Sequence, residues 1–434
     1  MRLLANRRFE NGLLGGTRHP HQVASDNASP QSELTTTLAA KCSRWHSDSM
    51  AMETREFTID ITDAALQDLR ERLGRTRFPG EIADSDWGYG TDLAYLRDLV
   101  AYWKDGYDWR AHESRLNQLN QSQARVDDLW VHFVHEKGKG PAPIPLCITH
   151  GWPGSFVEFE QILGPLTDPA AHGGDPADAF DVVLPSMPGY GFSEAATTPG
   201  MDCERIADMW VKLMQGLGYD RFGAQGGDWG AMVTSMLGSK HAESLLGIHL
   251  NMVIAFPGDP AKALEGLSPE DMASLGDLDH FQKQETGYQQ IQGTKPQTLA
   301  YGLNDSPAGL AGWIIEKFRT WSDCDGNLES VYTRDQLLTN IMLYWLPESI
   351  GSSVHLYCES MRAGKFPPSD FRVEVPTGAA IFPREIIRPP QSWIEDTYNL
   401  QHYRRFEKGG HFAAMEQPEA LVESIRDHFR PLRA

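Results

Sequence analysis

The stretch Gly226-Gly227-Asp228-Trp229-Gly230 decides how this chain folds. It follows a short run, Tyr219 to Ala224, that reads as a strand, and it opens a helix running through Met236. Small residues two before and two after a central residue are what a tight strand-to-helix turn needs. The backbone there passes close to its neighbours, and larger side chains would clash. Here the central residue is aspartate. Its reference pKa of about 3.9 leaves it ionised at neutral pH, so no base has to activate it. A carboxylate so placed attacks saturated carbon bearing a strained or good leaving group, forming an ester that water then opens. Serine there would suit acyl transfer instead. Taken alone, Gly-Gly-Asp also reads as a helix N-cap, where aspartate is favoured.

The sequence around this turn alternates strands and helices. Leu129 to Val134 reads as a strand. Pro145 to Thr149 is a second, ending at His150-Gly151-Trp152-Pro153-Gly154-Ser155, and Phe180 to Leu184 a third, ending at Pro185-Ser186-Met187-Pro188-Gly189-Tyr190-Gly191. Ile206 to Leu217 is a helix between strands. Strands that end in Gly/Pro turns and alternate with helices predict a mainly parallel α/β sheet, with ligands at the strands' carboxyl ends. Residues 256–365 break the alternation and read as a helical insertion. Ala379 to Phe382 resumes the strand pattern and Pro418 to Phe429 closes the chain as a helix.

Two further residues fall at strand ends. Glu385 follows the late strand in Phe382-Pro383-Arg384-Glu385, and His411 sits in Gly409-Gly410-His411-Phe412 before the last helices. The order Asp228, Glu385, His411 is that of nucleophile, acid and histidine in an α/β-hydrolase triad, and it turns the N-cap reading of Asp228 into the weaker one. His411 would deprotonate the water that hydrolyses the ester, and Glu385 would orient the imidazole. The backbone N–H groups of Trp152 and Trp229 would form an oxyanion hole; by itself the His150 segment is also an ordinary Gly-Pro turn.

With these segments in view, the chain from about Glu56 onward resembles the epoxide hydrolase family that includes microsomal, fungal and insect juvenile hormone enzymes. The resemblance rests on His150 to Ser155, Pro188 to Ser193, Gly226 to Gly230, Leu303-Asn304-Asp305-Ser306-Pro307 and Gly409 to Ala414. It implies an α/β-hydrolase fold with a helical lid insertion and an N-terminal wrapping domain, divided as 55–127, 128–255, 256–365 and 366–434. It implies opening of epoxides to vicinal diols through an ester on Asp228, with no metal or organic cofactor. It also implies two lid tyrosines that donate to the epoxide oxygen. By motif these map to Tyr288 and Tyr357, with Tyr301, Tyr332 and Tyr344 as competitors. A haloalkane dehalogenase shares the aspartate chemistry and a tryptophan at the Trp229 position but lacks a use for paired tyrosines. A catalytically silent hydrolase fold serving as a binding protein would have lost a triad member.

Composition fits this reading without choosing it. The 434 residues allow one large core and an attached smaller unit. The formal net charge of −20 argues against nucleic acid or an anionic membrane surface as partner and leaves a small-molecule epoxide and water. A homodimer is compatible with the sequence. Cys42, Cys147, Cys203, Cys324 and Cys358 are scattered and odd in number, which predicts free thiols in a reducing, cytoplasmic setting and no zinc site. His132 and His135, three apart on a strand, face opposite sides and so would not share a metal. Residues 1–54 read as a disordered or non-native extension, with a true start at Met50 or Met52. Their arginine and serine content also suits a transit peptide. Microsomal members carry a membrane anchor at this end, and the segment before Glu56 is too polar for one.

Overall fold

The computed structural model describes residues 52–364 and 371–433. The readings made for residues 1–51, the free thiol of Cys42 among them, lie outside the described residues. Among the described residues, nine strands form one sheet: β1 (Thr54–Glu56), β2 (Gln121–Val126), β3 (Leu129–Glu136), β4 (Ile144–Thr149), β5 (Phe180–Pro185), β6 (Phe222–Gly226), β7 (Leu245–Leu250), β8 (Val373–Ile381) and β9 (Tyr398–Arg405). Their spatial order is β1-β2-β3-β5-β4-β6-β7-β8-β9. The first three are antiparallel, and β3 pairs antiparallel with β5. From β5 to β9 every pairing is parallel. After β4 the chain turns outward to β5, then returns to the other side of β4 as β6. The carboxyl ends of β4 and β6 therefore lie side by side at the point where the strand order reverses, the usual place for a site in such a sheet.

Helices cover both faces of the parallel half. Cys203–Gly216 buries Ile206, Met209, Trp210, Leu213 and Met214, a repeat at helical spacing, and Asp202 caps it by accepting from the Arg205 amide. The expected strand at Tyr219 starts later, at Phe222. Gly218 takes a left-handed φ of 90°, and Tyr219 turns outward to give its hydroxyl to Asp181. The expected strand at Ala379 starts earlier, at Val373, across a register shift near Pro376.

Before β2 lies the aromatic-rich segment. Thr62 caps the helix Asp63–Gly74 by accepting from the Ala65 amide, and Leu66, Leu69 and Leu73 form the buried stripe. The helices Leu93–Asp105 and Trp109–Leu116 bury Leu99, Trp103, Trp109 and Leu116. This segment also braces the helical insertion. Tyr107 Oη lies 3.0 Å from Thr339 Oγ1, Tyr102 Oη donates to Asp335 at 2.7 Å, and Thr91 Oγ1 donates to the Gly312 carbonyl at 2.6 Å. The insertion is helical as expected, with helices at Pro269–Gln284, Gly287–Thr294, Pro296–Asp305, Pro307–Trp321, Arg334–Trp345 and Ile350–Ala363.

His132 and His135 part as their spacing requires. His132 is fully buried between Ser186 and Gln121, while His135 reaches the Tyr219 hydroxyl. Cys147, Cys203, Cys324 and Cys358 are free thiols, all buried. No helix among the described residues is long and apolar enough to cross a membrane.

Leu99 has no exposed surface in this brace. Leu99→Ala is expected to lower unfolding stability by about 2–5 kcal/mol, read by urea titration. Turnover per folded molecule should change little, because the hydrogen bonds of Tyr107, Tyr102 and Thr91 that brace the insertion are left in place.

Candidate active site

The turn after β6 has the tight geometry its glycines imply. Asp228, the first residue of the helix Asp228–Lys240, has φ of +50°, a left-handed conformation that a non-glycine residue adopts only when its surroundings force it. A Cβ on Gly226 would lie 2.2 Å from the Gly230 carbonyl oxygen, and one on Gly230 only 1.9 Å from that of Thr149. The helix start is thus pressed directly against the end of β4. The cap position belongs to Gly227, so the N-cap reading of Asp228 does not hold.

That closeness brings two amides to one carboxylate. Trp152 N–H, on the loop after β4, donates to Asp228 Oδ1 at 2.7 Å. The Trp229 N–H, at the helix start, donates to the same carboxylate. Burial raises the Asp228 carboxyl above its ordinary range, against the pull of His411 and these two amides.

The loops after β8 and β9 deliver Glu385 and His411. Glu385 Oε1 accepts from His411 Nδ1 at 2.7 Å and from the Ile386 amide at 2.6 Å. His411 Nε2 lies 3.6 Å from Asp228 Oδ2. The imidazole and the Glu385 carboxyl are almost completely buried. Burial opposes charge on His411, but Glu385 and Asp228 outweigh it and hold the imidazole up at about 9. At neutral pH it is an imidazolium between two carboxylates. The three residues singled out in the sequence meet at one point.

Tyr288 and Tyr357 meet above them. Their rings are 5.9 Å apart, edge to face. Trp152 stacks on Tyr288 at 5.5 Å, and Trp229 contacts Tyr357 at 4.7 Å. The Tyr288 and Tyr357 hydroxyls approach each other, but the buried Tyr357 Oη makes no hydrogen bond of normal geometry. Burial and the nearby Asp228 carboxylate push both phenols well above their usual range, so both keep their protons. The competing tyrosines are engaged elsewhere. Tyr344 donates to the Gly154 carbonyl, Tyr332 pairs with Ser322, and Tyr301 is largely exposed. Asp228, Trp229 and the two tyrosines open on a mostly apolar pocket whose other walls are Met232, Met252, Ile254, Phe281, Ile386 and Ile387, with Gln289 as a polar member.

Several residues at the site carried no local signal. Asn340 bonds Ser155 and the Pro153 carbonyl, and with Tyr344 it ties the loop after β4 to the insertion. Lys317 is buried with its ammonium 4.7 Å from the Tyr288 ring centroid. Glu158 and Glu416 face His411, and burial lifts their carboxyls to about 8 and about 7. The Leu303 to Pro307 segment forms a helix junction, where Ser306 caps Pro307–Trp321 and Asp305 pairs with Arg72.

Residues 54–159 match the family described as epoxide hydrolase N terminus, and residues 144–308 match the alpha/beta hydrolase fold family. A provisionally named epoxide hydrolase of Stigmatella aurantiaca is 44% identical over 379 residues, 87% of this chain and 85% of the relative. Epoxide hydrolase 1 of Sus scrofa is 37% identical over 397 residues, 86% of this chain and 87% of the relative. The crystal structure of juvenile hormone epoxide hydrolase from Bombyx mori superposes with a TM-score of 0.81 at 32% identity, covering 88% of this chain and 95% of that one.

The buried charges predict how stability follows pH. His411, Glu158 and Glu416 hold protons in the fold that the unfolded chain releases, so stability rises as pH falls from about 9 towards 7. Burial keeps His132 and His428 neutral down to about 3 and His150 down to about 4, and lowers His249 as well. Unfolded histidines take up protons near pH 6.5, so these four remove stability below that point and outnumber the two acids. Melting temperature against pH should peak between about 6.5 and 7.5. A monotonic curve from pH 5 to 9 would contradict this electrostatic picture.

Proposed function

The chain belongs to the epoxide hydrolase family, and from that premise we propose that it opens epoxides to vicinal diols through a covalent ester on Asp228. The supporting observation is the position of Asp228. It lies under two protonated phenols at an apolar pocket, with an imidazolium and two amides on its other sides.

In the first step Asp228 attacks an epoxide carbon. The C–O bond breaks as Tyr288 and Tyr357 hydrogen-bond the oxygen, and one phenol gives it a proton. An alkoxide is a poor leaving group, so this donation is what makes the ring open without consuming the carboxylate. Alkylation then changes His411. The negative charge of Asp228 was one of the supports holding the imidazole at about 9, and the ester removes it. The imidazole releases its proton to the phenolate and becomes a base.

In the second step neutral His411 takes a proton from water, whose oxygen adds to the Asp228 carbonyl carbon. The Trp152 and Trp229 amides hold the oxyanion, a contribution of roughly 10²–10³ in rate per donor in such sites. Glu385 keeps Nδ1 protonated, leaving Nε2 to face the water. Collapse expels the diol as its alkoxide, which takes the proton back from His411; the Asp228 carboxyl then gives the second water proton to His411, and the carboxylate and the imidazolium are restored. The apolar walls favour epoxides with hydrocarbon substituents.

Diol formation across a small epoxide panel tests this, with Asp228→Ala expected to form none. His411→Gln should still alkylate, and intact mass should then rise by the mass of one epoxide, localised to Asp228. Equal turnover by Asp228→Ala, or halide release from haloalkanes with no diol from any epoxide, would overturn the reading.

Tyr288→Phe and Tyr357→Phe should each slow alkylation about 10- to 1000-fold, and the double variant should fall below either. Rapid-quench measurement of ester formation reads this step directly. Unchanged ester formation in both single variants would remove the tyrosines from the chemistry.

A further inference from the structure

Glu158 has no part in the steps above, yet it shares a cavity with the residues that perform them. It lies in the short turn Phe156–Phe159, anchored by the buried side chains of Phe156, Val157 and Phe159. Its carboxyl folds back over the loop after β4. A Cβ on Gly154 would come within 2.4 Å of Glu158 Oε2, so that glycine is the condition for the carboxyl's position.

Of the four carboxyls facing His411, three accept backbone N–H groups. Asp228 accepts from Trp152, Glu385 from Ile386, and Glu416 from Asp323 and Phe412. Among the described residues, no donor reaches the Glu158 carboxyl. A carboxyl so enclosed and unbonded is costly unless a ligand or water completes it. Glu158, which is half-buried, is one wall of a cavity of about 10 Å³, room for a single water, whose other walls include Asp228, His411, Gly151 and Gly154. Asp228 therefore stands between two spaces, the apolar pocket under the tyrosines and this polar cavity.

We propose that Glu158 is a positioning residue for the hydrolytic half-reaction, holding the water that His411 activates against the Asp228 ester. A water that gives one hydrogen to His411 Nε2 is free to rotate about that bond. A second hydrogen bond, to the Glu158 carbonyl oxygen, fixes its plane and leaves a lone pair aimed at the ester carbon. Burial opposes ionisation, the imidazolium favours it, and the neighbouring carboxylates disfavour it; together they lift Glu158 to about 8. It is then neutral at working pH and places no negative charge beside the forming oxyanion.

The proposal rests on the Asp228 ester, and its test separates the two. In single-turnover reactions with styrene oxide, intact mass after rapid quench gives ester formation and decay. Glu158→Leu is expected to form the ester within about threefold of the wild-type rate and to hydrolyse it 10- to 100-fold more slowly. Glu158→Gln keeps the acceptor oxygen and should restore most of the loss. Wild-type ester decay in Glu158→Leu, or equal slowing of both steps, overturns the proposal. If Glu158→Leu does not fold, Glu158→Asp decides, since its retracted carboxyl should slow decay alone and normal decay there is equally fatal. Absence of any adduct, even in His411→Gln, refutes the Asp228 ester itself, a result distinct from an adduct that decays normally without Glu158.

Discussion

The contact between Gly230 and the Thr149 carbonyl is the constraint on which the site depends. With a Cβ at position 230 only 1.9 Å from that oxygen, any side chain would push the helix away from the end of β4. The Trp152 amide comes from the β4 side of that contact and the Trp229 amide from the helix side. They converge on one carboxylate only because the two backbones touch. The strained φ of Asp228 belongs to the same constraint, since the chain must reverse from strand to helix in the space of a residue. In the proposed mechanism these two amides are the oxyanion hole, already in place before any ligand arrives, so no reorganisation would be needed when charge develops there.

Around this point the fold concentrates acid groups on one imidazole. Asp228, Glu385, Glu158 and Glu416 all face His411. Four carboxylates cannot all stay ionised in so dry a space, and the site resolves this by environment. Glu385 touches the imidazole directly and receives a backbone donor; Glu158 and Glu416 are lifted towards neutrality. The result is an imidazolium held between Asp228 and Glu385, with two further acids pushed up towards protonation. In the proposed mechanism, alkylation of Asp228 would change the charge balance of the whole group, so that one histidine would serve as counter-ion first and base afterwards.

Much of this was legible in the sequence because the decisive features are local. The turn at Gly226 to Gly230 shows its glycines within five residues, Asp228 and Glu385 each follow a recognisable strand, and His411 sits in its own Gly-Gly turn before the last helices. Strands β2 and β9 were not legible. In β2 the inward residues include Gln121 and Gln123, whose buried amides bond His132, the Leu116 carbonyl and the Phe192 carbonyl, so no apolar alternation marks it. In β9, at the sheet edge, Tyr398 alone is fully buried. In β7, Gly247 and His249 interrupt an otherwise apolar run. Asn340 and Lys317, and the partner of Tyr344, were invisible for another reason. Their partners lie far off in sequence or, for Lys317 and Tyr288, in a neighbouring helix, and only tertiary packing joins them.

The helical insertion explains why the tyrosines and the loop after β4 act as one assembly. Arg334–Trp345 grips the loop through Asn340 and Tyr344, while Tyr288 and Tyr357, on two other helices of the insertion, rest on Trp152 of that same loop. The first segment of the chain braces the insertion in turn, through Tyr107 to Thr339 one residue before Asn340. The two phenols and the amide, which in the proposed mechanism address different oxygens, one on the leaving side and one on the ester, are thereby fixed to a common framework. Loosening the insertion would displace the proton donors and the oxyanion donor together. The position of the chemistry therefore depends on the first described helices as much as on the sheet that carries Asp228.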